Sequence, residues 1–285
     1  LKKNLGRTSC IIFMSIQSTV LNFFLKKFVK NKKPSPDKYS YQDMRDLMNE
    51  SFEMGKKNFI EKLIIKSTFA NRRSSIKSTE IVLDGIRTLK ITRDDSQKDK
   101  CILYFHGGGY IAGSPETHLS LLKEIYNNSK ITIYAIDYSL SPESKFPLAL
   151  NEAVRSYTAL RDLGYQANNI IIGGDSAGGN LSLVCTLKLQ ENNQELPSKL
   201  FLLSPWTDLT ASGKSIESNS ISDPYLSYDD FQLTKKSMKK VAETWYATGY
   251  NISDKFISPL FAEYNNFPET LIQVSDIEVL LSDSV

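Results

Sequence analysis

Histidine is scarce in this chain: there are two, His106 and His118, so few side chains can act as a general base near neutral pH. Cysteine is also scarce. Cys10, Cys101 and Cys185 are odd in number and far apart, which excludes a disulfide framework or a cysteine-built metal cluster and fits a reducing, cytoplasmic setting. Neither sign of charge dominates, with 35 Lys and Arg against 32 Asp and Glu and a net charge of +3. That balance lacks the basic stripe of a nucleic-acid binder. Repeats and low-complexity tracts are missing as well, which argues against a solenoid.

What is present is a 285-residue chain, 41% hydrophobic, long enough for one large α/β domain with decorations. Near its start, Lys2, Lys3 and Arg7 precede an apolar stretch from Cys10 to Met14 and mimic a signal peptide. Ser15, Gln17, Ser18 and Thr19 break that stretch, and no clear small-residue cleavage site follows. Leu21, Phe24, Leu25 and Phe28 then recur at helical spacing, which predicts an amphipathic helix. Its apolar face suits a pocket cover better than a membrane surface, where it would bind weakly. The chain begins at Leu1 and Met14 is a natural start, so residues 1–13 are set apart as foreign to the native protein.

Residues 1–78 read as a helical cap segment, with helical pieces around Tyr41–Asn58. Residues 79–93 alternate around Asp84-Gly85 and predict a β-hairpin. Short apolar runs follow at 101–105, 131–136, 170–174, 199–204 and 271–275, with helical patterns between them, such as Ala149, Ala153, Tyr157 and Leu160 closing at Gly164. Buried strands of a mostly parallel sheet read this way, so residues 79–285 predict an α/β fold with helices on both faces. Residues 207–256 break the rhythm and read as a cap insertion above the sheet.

The chemistry gathers at Gly174-Asp175-Ser176-Ala177-Gly178, a G-x-S-x-G run between the strand "IIIGG" and a helical pattern beginning at Leu181. A serine in such a strained strand-to-helix turn is pushed out at the top of the sheet as a nucleophile. Residues 105–110, "FHGGGY", follow an earlier strand, and their backbone N–H groups can face one oxyanion. Gly107, Gly108 and Ala177 are assigned as the oxyanion donors and Tyr110 as a substrate contact. His106 is expected to hold the loop by a hydrogen bond, with its ring turned from the serine. His118 is placed near a helix start, and neither histidine is a convincing base.

"HGGGY" at 106–110, "GDSAGGN" at 174–180, "SPWTDLT" at 204–210, "DPYL" at 223–226 and "SPLFA" at 258–262 together resemble the hormone-sensitive-lipase-like α/β-hydrolases. The resemblance runs from about Met14 to Val285. It implies an α/β-hydrolase fold and a serine carboxylesterase acting on short- to medium-chain acyl esters, with no cofactor or metal. A small-molecule ester is the implied partner, a homodimer a candidate assembly, and nucleic acid no partner. Ser144 departs from the family's usual histidine in "DYSLSPESKFP". Within the resemblance Glu278 aligns with the acid of the triad, with Asp276 and Asp283 as alternatives. The aromatics Phe23, Phe24, Trp206, Tyr225, Trp245 and Tyr246 suggest an apolar acyl pocket.

Triad order in this fold is Ser, acid, His. The chain reaches Val285 just after the acid, so the sequence reads as C-terminally incomplete, lacking the last strand and the histidine loop and leaving the edge of the 271–275 strand exposed. The competing reading is a non-catalytic small-molecule-binding protein, or an inactive fragment, on the same fold.

Overall fold

Asp84 and Gly85 both take positive φ, 46° and 78°, as a tight hairpin turn requires. They join β2 (Lys77–Leu83) to β3 (Ile86–Thr92) with Leu83 opposite Ile86. The computed structural model describes residues 9–12, 40–57, 76–223, 225–228, 231–232 and 234–285. The expected helix over residues 21–28 lies outside them.

Further strands are β1 (Ser9–Ile12), β4 (Gln97–Phe105), β5 (Ile131–Ile136), β6 (Ile170–Asp175), β7 (Lys199–Leu203) and β10 (Glu269–Val274). A separate two-stranded ribbon pairs β8 (Ser227–Tyr228) with β9 (Phe231–Gln232). The main sheet runs β1-β10-β7-β6-β4-β5-β3-β2, parallel throughout except that β3 is antiparallel to β5 and β2 to β3.

Helices lie on both faces, as the apolar runs imply. Along β4, Cys101, Leu103 and Phe105 join the larger core with α3 (Leu148–Asp162) and α4 (Ala177–Glu191), whereas Ile102 and Tyr104 face Leu122 and Tyr126 of α2 (Leu119–Ser129). A strand buried on both sides leaves no polar face, which is why residues 101–105, 131–136 and 170–174 read as continuous apolar runs.

The outer edge of β10 differs from expectation. β1 pairs with it in parallel, Ser9 opposite Leu271 and Ile12 opposite Val274, so its N–H and C=O groups have a neighbour. Part of the segment set apart in the sequence reading is therefore a sheet strand, because a short run containing Ile11 and Ile12 has the β-branched character an open edge accepts. β10 itself alternates, with Thr270, Ile272 and Val274 buried while Glu269, Leu271 and Gln273 are exposed.

α1 (Tyr41–Lys57) starts at a capping arrangement: Asp43 N–H donates to Ser40 Oγ at 3.2 Å and Ser40 N–H to Asp43 Oδ2 at 2.9 Å. Arg45 fastens it to the sheet top, donating to the carbonyls of Ile111 and Ser141, both at 2.6 Å, and gripping Glu143 with two nitrogens. Residues 207–256 hold short elements rather than long helices, including Ser215–Ser218, Lys235–Lys240 and a π turn at Val241–Tyr246. Among the described residues no helix is long and apolar enough to cross a membrane.

Candidate active site

β6 ends at Asp175 and α4 begins at Ala177, so Ser176 is the whole turn between them. Its backbone sits at φ 50° and ψ −118°, a conformation that costs a non-glycine residue about 1–3 kcal/mol. The flanking glycines make the turn possible. A Cβ at Gly174 would lie 2.4 Å from Gly178 O, and one at Gly178 would lie 2.0 Å from Phe105 O. The turn is latched to the next strand, because Ser176 N–H donates to Leu203 O at 2.9 Å and Trp206 N–H to Ser176 O at 3.0 Å. That surrounding structure holds the strain in place.

Ser176 opens into an apolar cavity whose wall includes Met44, Leu47 and Met48 of α1, Gly109 and Ile111 of the glycine loop, and Leu226 and Val241 above. Trp206 and Tyr225 also line it, as expected of the pocket aromatics. Trp245 and Tyr246 are instead packed in the core, and Phe23 and Phe24 lie outside the described residues.

Two residues of the glycine loop, Gly107 and Tyr110, are engaged away from the cavity. Gly107 N–H donates to Asp175 Oδ1 at 3.0 Å, so this group is already committed to a carboxylate. Gly108 and Gly109, at φ 123° and 60°, carry N–H groups that bond to none of the described residues, and Gly109 borders the cavity. Ala177 is the first residue of α4, where N–H groups have no intrahelical acceptor. Tyr110 is not at the cavity. It is buried with its hydroxyl donating to Asn180 Oδ1 at 2.7 Å and its ring stacked 3.9 Å from Tyr246, because a φ of 64° swings the side chain inward.

Asp175 organises what lies behind the loop. Besides Gly107 it accepts from the Tyr104 hydroxyl at 2.7 Å and faces His118 Nε2 at 3.2 Å. Burial works against its charge, but His118 and the Tyr104 hydroxyl hold its carboxyl below the usual range. An ionised carboxylate only accepts, so His118 Nε2 donates to it. His118 is thus a scaffold for the loop, a role the sequence reading did not assign. Only the spatial arrangement reveals it, since residues 118 and 175 are far apart in sequence.

His106 behaves as its place in the loop implies. Nδ1 lies 2.7 Å from Gly107 O, the ring stacks 4.3 Å from Tyr138, and Nε2 is buried without a hydrogen bond. Burial, aided by nearby His118, pushes it down to about 4, so the ring is neutral at pH 7.

Glu278 follows β10, half-buried, with Oε1 accepting from Ser275 N–H at 3.0 Å. Burial raises its carboxyl, opposed by hydrogen bonds from the Ser204 hydroxyl and Ser275 N–H. Ser204 directly follows β7, the strand to which the Ser176 turn is latched. Asp276 is exposed. Asp283 is fully buried against the start of the 207–256 region, its Oδ2 accepting from the N–H groups of Thr207 and Asp208, both at 2.8 Å. Among the described residues no group of three or more His, Cys, Asp or Glu is arranged to hold a metal.

Residues 102–285 match the α/β-hydrolase fold family. The chain is 32% identical over 210 residues to an esterase of Acinetobacter venetianus, covering 74% of this chain and 67% of that protein. It is 30% identical over 205 residues to an acetyl-hydrolase of Streptomyces hygroscopicus, covering 72% of this chain and 66% of that one. The chain therefore spans about two thirds of the length of these curated relatives. A solved esterase of the bacterial hormone-sensitive lipase family superposes with a TM-score of 0.76 at 27% identity, over 96% of this chain and 82% of that one. A hormone-sensitive lipase from a metagenome library superposes at 0.75 with 32% identity, over 96% and 82%.

Proposed function

The chain belongs to the α/β-hydrolase fold family, in its hormone-sensitive-lipase-like branch, and from that premise we propose that it is a serine carboxylesterase for short- to medium-chain acyl esters. The observation that carries the reading is the placement of Ser176: a strained turn presents it to an apolar cavity bordered by the glycine loop. Relatives named as an esterase and an acetyl-hydrolase support the ester class.

Ser176 Oγ attacks the ester carbonyl carbon as its proton passes to a histidine. The carbonyl oxygen becomes an oxyanion held by the N–H groups of Gly108, Gly109 and Ala177. Gly109 takes the place given to Gly107 in the sequence reading, since Gly107 N–H serves Asp175. The carbon–alkoxy bond breaks, the alcohol leaves with the proton, and water then releases the acid by the reverse route. Glu278 orients the histidine. That histidine is neither His106 nor His118, whose rings are engaged with Gly107 O and Asp175.

The test is hydrolysis of p-nitrophenyl acetate and butyrate by the full-length protein, beside its Ser176→Ala variant. Hydrolysis lost with Ser176 is expected. Equal rates in the two proteins would sink the proposal, and a fluorophosphonate probe that failed to label wild type would count against an activated serine.

A further inference from the structure

The motif "DPYL" at 223–226 has no part in the reaction, yet Asp223 is among the most buried carboxylates of the described residues, 1% exposed. Its Oδ1 accepts from Tyr225 N–H at 2.9 Å and Leu226 N–H at 2.8 Å, and Tyr225 and Leu226 line the cavity. Its Oδ2 accepts from Val279 N–H at 2.9 Å, the residue after Glu278. One buried carboxylate thus joins the cavity wall to the loop that carries the acid.

Asn219 completes the arrangement. Its Nδ2 donates to Asp276 O at 2.9 Å and to Glu278 O at 2.8 Å. The peptide unit linking Glu278 to Val279 is therefore held at both ends, its oxygen by Asn219 and its N–H by Asp223. Ser215 Oγ donates to Val279 O at 2.6 Å and accepts from Ser282 N–H at 2.8 Å, fixing the next turn. The loop's own backbone bonds are long by comparison, Glu278 N–H to Ser275 O at 3.3 Å and Leu281 N–H to Glu278 O at 3.2 Å. Its path is set more by side chains from 215–223 than by itself.

We propose that Ser215, Asn219 and Asp223 form a cradle that positions Glu278, and that Asp223 couples the acid loop to the acyl wall at Tyr225–Leu226. The inference rests on Glu278 being the acid of the proposed esterase. A peptide plane clamped from both sides cannot rotate without breaking bonds to a buried carboxylate, so the direction of the Glu278 side chain follows from Asn219 and Asp223. These are positioning residues, since they reach the chemistry only through Glu278 and the cavity wall.

The experiment compares wild type with Asn219→Ala and with Asp223→Asn, which keeps the volume of Asp223 and one acceptor oxygen. Amide hydrogen exchange across residues 275–282 is expected to rise about tenfold or more in each, with residues 223–226 also faster only in Asp223→Asn. On p-nitrophenyl acetate each should lose about tenfold in kcat with little change in KM, the order of one lost hydrogen bond. Asp223→Asn should also raise KM for p-nitrophenyl hexanoate. In a Glu278→Gln background neither substitution should lower kcat further, a result that general destabilisation does not produce. Unchanged exchange at 275–282 in both variants overturns the cradle, as does an undiminished loss of kcat in the Glu278→Gln background. Exchange needs no turnover, so failure of the esterase reading, seen in wild type and Ser176→Ala, is distinguishable from failure of the cradle.

Discussion

Gly107 N–H donates to Asp175 Oδ1 at 3.0 Å, tying the glycine loop to the residue directly before Ser176. A Cβ at Gly107 would lie 2.1 Å from Asp175 Oδ2 and 3.1 Å from Asp175 O, so the loop lies against Asp175 as closely as a glycine permits. The consequence is that loop and nucleophile share one anchor. Asp175→Asn should leave His118 facing an amide and weaken both. Weakening the three hydrogen bonds that this one partly buried carboxylate accepts costs about 3 kcal/mol or more. At this chain length that lowers Tm by roughly 6–12 °C. Esterase activity measured well below the new Tm should fall by about tenfold or more, because the loop is no longer held against Ser176. An Asp175→Asn protein with unchanged Tm and kcat would show that the contact anchors nothing.

Two buried groups give stability opposite pH dependences. His106 is pushed from 6.5 down to about 4, so between those values the unfolded chain binds the extra proton and stability rises with pH. Asp283 is pushed from 3.8 up to about 8 by burial, with the nearby Asp208 charge adding to it. Across that window the folded chain holds the extra proton, so its contribution is lost as pH rises through the folded value. Each changes stability by about 1.4 kcal/mol per pH unit within its window. Asp283→Asn keeps an acceptor for the N–H groups of Thr207 and Asp208 without a titrating proton. Its Tm relative to wild type should climb steadily from pH 4 to 8 and then level. His106→Phe, which keeps a ring on Tyr138, should remove the rise between pH 4 and 6.5. Calorimetric Tm series for the three proteins check both slopes.

Much of this arrangement was legible in sequence because it rests on local constraints. Gly174 and Gly178 mark a turn where no Cβ fits, and the runs of β4 to β6 are apolar because helices cover both faces. Asp84-Gly85 fixes its hairpin by its own φ values. What the sequence hid depends on partners distant in the chain. Gly107 looked like a free donor until the fold brought Asp175 beneath it, and Tyr110 looked like a substrate contact until Asn180 claimed its hydroxyl. The pairing of β1 with β10 joins residues from opposite ends of the chain, which no local pattern announces.

Two glycines separate crowding from backbone strain. Gly178→Ala would place a methyl group 2.0 Å from Phe105 O and 2.6 Å from His106 O, both backbone atoms in the sheet top. Overlap with backbone cannot be relieved by a rotamer change, so the variant should lose about 3 kcal/mol or more and most of its Ser176 reactivity. Gly164, at φ 97° after α3, has nothing within 4 Å of the place a methyl group would take. Gly164→Ala should cost only the backbone preference, about 1–2 kcal/mol, with unchanged labelling by a fluorophosphonate. Urea titrations of both variants measure the difference; similar losses would mean that close approach at Gly178 is not what the turn depends on.

The cavity wall formed by α1 makes acyl-length preference the most direct readout of the pocket. Met44 and Met48 lie one helical turn apart and both line the cavity, with Met44 only 2% exposed. Unbranched thioether side chains fill irregular space and yield to substitution. Shortening Met44 to Ala removes wall that an acyl chain can then occupy, whereas Met48→Phe adds bulk on the same face. A change of one or two methylenes in an apolar pocket discriminates by about 1–3 kcal/mol. Met44→Ala should therefore raise the ratio of kcat/KM for p-nitrophenyl hexanoate over acetate by about tenfold, and Met48→Phe should lower it by a similar factor. The cavity left by Met44→Ala costs about 2–5 kcal/mol of stability. The ratio of two substrates on one sample cancels any loss of folded protein. If both variants left the ratio unchanged, the acyl chain would have to lie against a different wall, away from α1.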